Sequence, residues 1–285
     1  MIRRDIDLGD GRACWLLVSQ VEHARLSAVL AERCLDHFGK SSFASAAATQ
    51  IESTRRELLQ AIARHDDGWA EWETQPGLDP KRRRPLSFRE LPLGQSLVNW
   101  EGSIQSAADV GPLAAWVVSG HFAALLETSE KDRDWGASAK WLAKTADQRV
   151  AWLAEWQALN PAQHTTQLAD EALVWLQTFD LISLWICSVC PAGSEEVSQW
   201  PEAHHIEPGH IGPGMPLDTR IGPDPAADIS ERGVVTVDPW RFDVPELAIE
   251  LPAQVVPVCQ YQNTGELLAA YVPHQLRWRL TPLTV

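Results

Sequence analysis

The sequence predicts a mainly α-helical protein: a helical bundle with a small N-terminal hairpin and a β-rich C-terminal extension. Apolar residues recur every three or four positions through most of residues 20–190, which is typical of amphipathic helices. Alternating apolar residues flank Gly9-Asp10-Gly11, which favours a hairpin. Thirteen of the nineteen prolines lie from Pro191 onward. We therefore predict a helical domain with its hairpin at 1–190, and a Pro-rich, β-rich extension packed on it at 191–285.

The helices and strands follow from local signals in chain order. Gly39 is placed to end the first helix, Thr54-Arg55-Arg56-Glu57 resembles a capping box, and Pro112 suits the first turn of a helix. The predicted helices span about 20–38, 54–65, 93–108, 113–127, 136–159 and 165–190. In the extension, β-branched runs predict short strands at 234–237, 247–251, 255–258 and 276–280.

A long loop interrupts the helices between Thr74 and Pro92. It contains four prolines and the run Lys81-Arg82-Arg83-Arg84, a composition that cannot sustain a helix. Two interpretations of the basic run stay open: a solvated turn, or a rim that attracts phosphate.

Composition limits the functional classes. The net charge of −14 and the pI near 5.0 argue against a nucleic-acid or anionic-membrane surface, because such surfaces need basic patches. An anionic ligand would then need a local cation. Five irregularly spaced cysteines do not form a disulfide framework. The apolar segment 173–189 carries Gln177 and Asp180, and the first residues have no signal-like run. We expect a cytoplasmic protein; its oligomeric state cannot be predicted.

Two ionisable sites lie where packing should place apolar residues. His65 continues the apolar stripe of Leu58 and Ile62, so it should point inward with Asp66 beside it. Asp180 falls on the apolar face of the last helix, with Leu176 one turn before it. A carboxylate in a core needs a cationic partner, because burying an unpaired charge costs on the order of several kcal/mol.

A divalent metal ion would satisfy both sites together. His23, His65 with Asp66, His121 and Asp180 lie on different predicted helices and are all expected to face inward. Imidazoles and carboxylates that converge inside a bundle form metal sites, because the cation accepts nitrogen lone pairs and neutralises the carboxylates. The predicted ion is Mn, Fe, Zn, Ni or Co. Cores also contain satisfied histidines, so each residue alone would be weak evidence.

In the order His, His-Asp and Asp, the sequence resembles the HD superfamily of metal-dependent phosphohydrolases, which are helical proteins named for an adjacent His-Asp. The resemblance implies an HD-domain-like bundle and four metal ligands, His23, His65, Asp66 and Asp180. More narrowly, the chain looks like a bacterial family of unknown function. The segments that carry this likeness are residues 20–26, His65-Asp66-Asp67-Gly68-Trp69, residues 119–121 and residues 180–184. The resemblance covers nearly the full length.

The resemblance implies hydrolysis of a phosphate ester or nucleotide, so the expected partner is a small phosphorylated molecule, with no nucleic acid and no membrane. A divalent ion acts as a Lewis acid toward phosphate oxygens and lowers the pKa of water. Asp67 and Glu71 are the nearest candidates for the general base or acid, unless they are ordinary exposed carboxylates. Trp69 and Trp72 are either a wall of the site or core residues.

Two other functions stay open. One is a protein of the same fold that binds a metal or ligand without catalysis. The other is a di-iron oxygenase of the HD type, for which His164 would supply an additional ligand. Two further patterns are weaker. The spacing of Cys187 and Cys190 suits buried thiols better than a redox pair. The Pro-rich loop contains three histidines that suit a surface loop better than a metal site: His204, His205 and His210.

Overall fold

The computed structural model describes residues 1–7, 12–34, 48–129, 136–189, 204–206, 219–223 and 233–282. The predicted turn at Gly9-Asp10-Gly11, the end of the first predicted helix, Cys190, His210 and most of the Pro-rich loop lie outside these residues.

The six predicted helices occur in the predicted order, and the structure adds two short ones, Ala70–Thr74 and Thr264–Ala269. They are α1 (Gln20–Cys34), α2 (Ala48–Arg64), α3 (Ala70–Thr74), α4 (Leu93–Ala108), α5 (Pro112–Thr128), α6 (Gly136–Leu159), α7 (Thr166–Val189) and α8 (Thr264–Ala269). Short 3-10 turns form at Asp67–Trp69 and Phe88–Glu90. No helix in the described part of the chain is long and apolar enough to cross a membrane.

The strands form one sheet. They are β1 (Ile2–Asp7), β2 (Ala13–Val18), β3 (His204–Ile206), β4 (Thr219–Pro223), β5 (Val234–Asp238), β6 (Leu247–Pro257) and β7 (Val272–Pro282). Their order in the sheet is β1-β2-β6-β7-β5-β4-β3. All neighbours are antiparallel except β5 and β7, which pair in parallel with Val235 opposite Leu280.

The predicted fold class is wrong, because the protein is mixed α/β and not plainly a helical bundle with β appendages. The N-terminal hairpin is not a separate element: β2 pairs with β6, with Leu16 opposite Val255. Two predicted strands, at 247–251 and 255–258, merge into the single long strand β6. Local patterns identify a strand but not its partner, and here the partners come from opposite ends of the sequence. The boundary at residue 190 stays a prediction.

Apolar residues pack on both faces of the sheet. On one face, Leu16, Val18, Leu251 and Leu276 join the core formed by the helices. On the other face, a smaller cluster comprises Met1, Trp15, Leu17, Val256, Tyr261 and Leu267. Because β2 alternates between the two, its described side chains after Ala13 are buried throughout, as in a central strand.

The basic loop is fixed to the smaller cluster. Arg83 Nε donates to the Tyr261 carbonyl (3.0 Å), and Tyr261 N donates to the Arg83 carbonyl (2.8 Å). Arg84 pairs with Glu90 (2.5 Å). Half of the basic run is therefore engaged in structural contacts, and only Lys81 and Arg82 are exposed. Both interpretations of the basic run, a solvated turn and a phosphate-attracting rim, stay predictions for these two cations.

Candidate metal centre

The five predicted ligands come from four helical regions that pack against one another. His23 lies in the first turn of α1, His65 and Asp66 directly follow α2, His121 lies in the middle of α5, and Asp180 lies in α7. Helix α1 contacts α2 and α7, and α5 contacts the same two helices. Four of these side chains are buried, whereas the side chain of Asp180 is 15% exposed. Asp180 is therefore the most solvent-accessible side chain of the cluster.

The ligand atoms are close enough to share one cation. Asp180 Oδ1 lies 3.0 Å from His23 Nε2 and 3.1 Å from His65 Nε2. Asp66 Oδ2 lies 3.5 Å from the first of these nitrogens and 3.6 Å from the second. His121 Nε2 lies 3.7 Å from the other oxygen of Asp180. Two overlapping groups have all their ligand atoms within 4.8 Å: His23, His65 and Asp66, and His65, His121 and Asp180.

Second contacts orient two of the imidazoles. His65 Nδ1 lies 2.7 Å from the Ile62 carbonyl, which accepts its hydrogen. His23 Nδ1 lies 2.8 Å from Ser183 Oγ, and Ser183 in turn donates to the Asp180 carbonyl (3.0 Å). When Nδ1 carries the hydrogen, neutral imidazole presents the Nε2 lone pair, which is the form that binds metals. Both rings are therefore held with Nε2 toward the carboxylates.

His121 differs from the other two imidazoles. Its Nδ1 is buried, and no group among the described residues accepts or donates a hydrogen bond there. Burial lowers the pKa of His121 to about 4, although Asp180 opposes the shift. His121 is therefore neutral near pH 7, and Nε2 faces Asp180.

Charge and burial compete within the cluster. Burial disfavours the charged form of His65, but Asp66 and Asp180 outweigh it and raise the pKa of His65 to about 9. Burial raises the pKa of Asp66, partly offset by His65 and His23. Burial would also raise the pKa of Asp180, but His121 and the other two imidazoles hold it well below its usual value. Without a metal ion, a proton on His65 compensates the carboxylates.

These residues fit a divalent cation. Ligand atoms about 2.1 Å from an ion lie about 3.0 to 3.4 Å apart at octahedral or tetrahedral angles. The separations of 3.0 to 3.7 Å between imidazole nitrogens and carboxylate oxygens are close to that range. Unprotonated Nε2 atoms facing carboxylate oxygens repel one another unless a proton or a cation lies between them. A donor set of imidazole and carboxylate suits first-row transition ions, including zinc.

The turn after Asp66 is shaped by its contact with α4. Gly68 N donates to Ser103 Oγ (3.0 Å), and a Cβ on Gly68 would lie 2.0 Å from the Asn99 carbonyl oxygen. Only glycine therefore allows this approach. Trp69 N closes the turn on the Asp66 carbonyl (3.0 Å). The contact with α4 holds Asp66 at the end of α2.

The predicted acid/base candidates are Asp67, which directly follows Asp66, and Glu71 on α3. Asp67 Oδ2 accepts a hydrogen bond from Ser106 Oγ of α4 (2.6 Å), and Glu71 is exposed on α3. Trp69 is buried and packs edge to face on half-buried Trp72, with ring centroids 5.9 Å apart. The catalytic roles of Asp67 and Glu71 stay predictions.

Among the described residues, none of the weaker predicted patterns joins the two groups of possible metal ligands. His164 stacks on Trp156 and its Nδ1 donates to the Trp156 carbonyl (2.5 Å), so this imidazole is engaged in helix packing. Cys187 is buried, and burial raises its pKa to about 12, as expected of an inert thiol. The backbones of His204 and His205 lie in β3.

Some residues that support the site carry no clear sequence signal. Ser183 and Ser27 are within hydrogen-bond distance of each other (2.6 Å), and Ser183 contacts His23, far away in the sequence. Glu73 accepts hydrogen bonds from Ser19 Oγ (2.5 Å) and Gln20 N (2.7 Å), which ties the start of α1 to α3. Serine and glutamate are common at such positions. Only the one-turn spacing of Ser183 after Asp180 indicates its role.

The fold and the cluster define a mixed α/β protein with a buried group of histidines and aspartates that could hold a metal ion. The chain belongs to the family DUF3891, described as a protein of unknown function, which matches residues 1–258. No curated protein and no solved structure matches the chain.

Proposed function

We propose that the protein is a metal-dependent phosphohydrolase of the HD type that acts on a phosphate ester or nucleotide. The observation that carries the proposal is the pair of overlapping groups of imidazole nitrogens and carboxylate oxygens, each within 4.8 Å, with two of the imidazoles oriented by contacts through Nδ1. The order of these residues in the chain, His, then His-Asp, then Asp, is the order that the HD resemblance implies.

The chain's residues would hold the ion and limit access to it. His23, His65, Asp66 and Asp180 are the proposed ligands, with His121 as a fifth, and the ion is Mn, Fe, Zn, Ni or Co. When bound, the cation supplies a Lewis acid for a phosphate oxygen and lowers the pKa of water. The substrate approaches from the side of Asp180, the most exposed ligand. The proposed partner is a small phosphorylated molecule, and neither nucleic acid nor membrane is required.

Proton transfer is assigned to Asp67 and Glu71. Asp67 follows the ligand Asp66 directly, and its second oxygen is not used in the bond to Ser106. It is therefore the better candidate for the general base, with Glu71 as the acid toward the leaving oxygen.

A metal-binding or ligand-binding protein without catalysis is the second candidate. It is favoured by one observation: Asp67 is already bonded to Ser106 and Glu71 is exposed, so neither carboxylate is held at the cluster. On this alternative the same five side chains bind an ion that does not turn over substrate.

Metal analysis and a substrate panel separate the two. We expect about one equivalent of a first-row divalent metal in purified protein, and its loss in the His65→Ala, Asp66→Ala double variant. Hydrolysis of generic phosphate esters should disappear with the metal. The matched control is Arg64→Ala, at an exposed residue one position before the motif, which should keep both. A metal-replete protein inert toward phosphate monoesters, diesters and nucleotides would reject the hydrolase in favour of the second candidate.

A further inference from the structure

Four of the buried side-chain atoms that lack a hydrogen-bond partner among the described residues belong to the cluster or to elements that adjoin it. They are Gln20 Oε1, Trp69 Nε1, Asn99 Nδ2 and His121 Nδ1, and each of these residues is at most 4% exposed. Buried polar atoms are nearly always hydrogen-bonded, so an unpartnered group needs an explanation. Here one of the four belongs to the cluster itself and the other three belong to elements beside it. A shared location favours a shared cause, namely a ligand.

Trp69 and Asn99 flank the turn that holds Asp66. Trp69 closes that turn through its backbone N, and Asn99 lies on the face of α4 that contacts Gly68. Gln95 Nε2 donates to Asn99 Oδ1 (3.0 Å), and the Asn99 amino group has no partner among the described residues. Two neutral N–H donors therefore belong to residues that border the turn of Asp66.

Gln20 lies at the start of α1, which contacts the turn at Asp67–Trp69. It is three residues before His23, so both side chains lie on the same face of α1. Its backbone N is bonded to Glu73, whereas its side-chain Oε1 is buried without a partner. Three residues of helical rise, about 4.5 Å, separate Gln20 from the proposed ligand His23 along α1.

We propose that Trp69, Asn99 and Gln20 are the substrate-binding residues of the site, an inference that rests on the proposed phosphohydrolase function. The N–H groups of Trp69 and Asn99 donate to the non-bridging oxygens of the phosphate. Gln20 Oε1 accepts a hydrogen bond from a hydroxyl or amino group on the alcohol portion. The substrate class is thus a phosphate ester whose alcohol carries a further hydrogen-bond donor. Both phosphate-binding groups are neutral, so binding of the anion depends on the cation.

Phosphate binding tests the two donors directly. Isothermal titration calorimetry of Mn²⁺-loaded full-length protein with inorganic phosphate should show about tenfold weaker binding in Trp69→Phe and in Asn99→Asp, with the metal content of the wild type. Trp69→Phe removes the indole N–H but keeps an aromatic ring, and Asn99→Asp keeps the shape but replaces the amide donor with a carboxylate. Trp156→Phe, a buried tryptophan of α6 that stacks on His164, is the control and should bind phosphate normally. If Trp69→Phe does not fold, Asn99→Asp carries the test alone.

A pair of substrates tests Gln20. Gln20→Met should raise KM for glycerol 2-phosphate about tenfold while leaving kcat and the KM for p-nitrophenyl phosphate unchanged, because only glycerol phosphate has free hydroxyls. An equal KM effect on both substrates, or none on either, overturns the role of Gln20.

The outcomes distinguish this inference from the proposed function. Phosphate binding that depends on Trp69 and Asn99, in a protein that hydrolyses no ester, supports the binding residues and rejects the hydrolase. Hydrolysis with an unchanged KM in Trp69→Phe and Asn99→Asp supports the hydrolase and rejects the binding residues. Absence of phosphate binding to the metal-loaded protein overturns the inference, as would a crystal structure with phosphate in which only ordered water contacts Trp69 Nε1 and Asn99 Nδ2.

Discussion

The two sides of the cluster are built differently. On one side, His23 and His65 have their Nδ1 atoms bonded to Ser183 and to a backbone carbonyl, and both Nε2 atoms lie within 3.1 Å of one oxygen of Asp180. On the other side, His121 has an unpartnered Nδ1 and lies 3.7 Å from the second oxygen. The first side is fixed in advance by the protein. The second has an adjustable ring that a bound ion or ligand would fix.

The largest expected effect comes from Asp180, which contacts both sides. Asp180→Asn keeps the shape but removes the charge that the three imidazoles surround. We expect affinity for Zn²⁺ or Mn²⁺ to fall by more than about 100-fold, beyond the loss typical of outer contacts. Competition with a chelator of known affinity measures it. The matched control is Asp170→Asn, at an exposed residue of the same helix, which should bind metal like the wild type. Tight binding in Asp180→Asn would mean that the two sides are not joined through this carboxylate.

The second effect concerns the turn that positions the first side. In Gly68→Ala the new Cβ would lie 2.0 Å from the Asn99 carbonyl oxygen and 2.5 Å from Ser103 N, both backbone atoms of α4. We expect a loss of about 3 kcal/mol in the free energy of unfolding, measured by urea denaturation, together with weaker metal binding. Gly94→Ala in α4 meets no atom within 4 Å and should be neutral or slightly stabilising. Equal stability of the two variants would show that α4 does not constrain Asp66.

The third effect compares one buried serine from each side. Ser183→Ala removes the partner of His23 Nδ1, so metal affinity should fall about tenfold. Ser119→Ala removes a buried hydroxyl that bonds only to a carbonyl of its own helix, Trp116 O (3.0 Å), two residues before His121. Metal affinity should then be unchanged. A similar loss in both variants would indicate general destabilisation, and it would contradict preorganisation of the first side through Nδ1.

Sequence patterns predicted which buried histidines and aspartates would meet better than they predicted the fold. His65 and Asp180 continue apolar stripes of helices, and the structure brings both into the interior with His23, Asp66 and His121. Helical periodicity is local, so it reports which way a side chain points. The pairing of β2 with β6 is not local, and neither is the contact of Ser183 with His23. Local sequence patterns do not indicate contacts between residues far apart in the chain. The strand pairing of the sheet and the role of the supporting serines therefore cannot be predicted from such patterns.

The smallest effect is a difference in protonation between the two sides. The pKa of His65 is raised to about 9, so this ring is a charged imidazolium at pH 7 in the metal-free protein. The pKa of His121 is lowered to about 4, so this ring is a neutral imidazole at the same pH. Metal must displace the proton of His65, so affinity should rise with pH below about 9 and then level off. His121 contributes no pH dependence between about pH 5 and 8, because it is already neutral there.

Calorimetry in buffers of different ionisation enthalpy should therefore detect release of about one proton from His65 on metal binding at pH 7, and the same amount in His121→Ala. NMR of the metal-free protein should place the titrations of the two rings on opposite sides of neutrality. Reduced proton release in His121→Ala, or a His65 ring that titrates below pH 7, would reverse the assignment. The charged imidazolium would then be His121, whose Nδ1 has no fixed contact. The hydrogen bonds of His23 and His65 would no longer explain how the cluster is prepared for a cation.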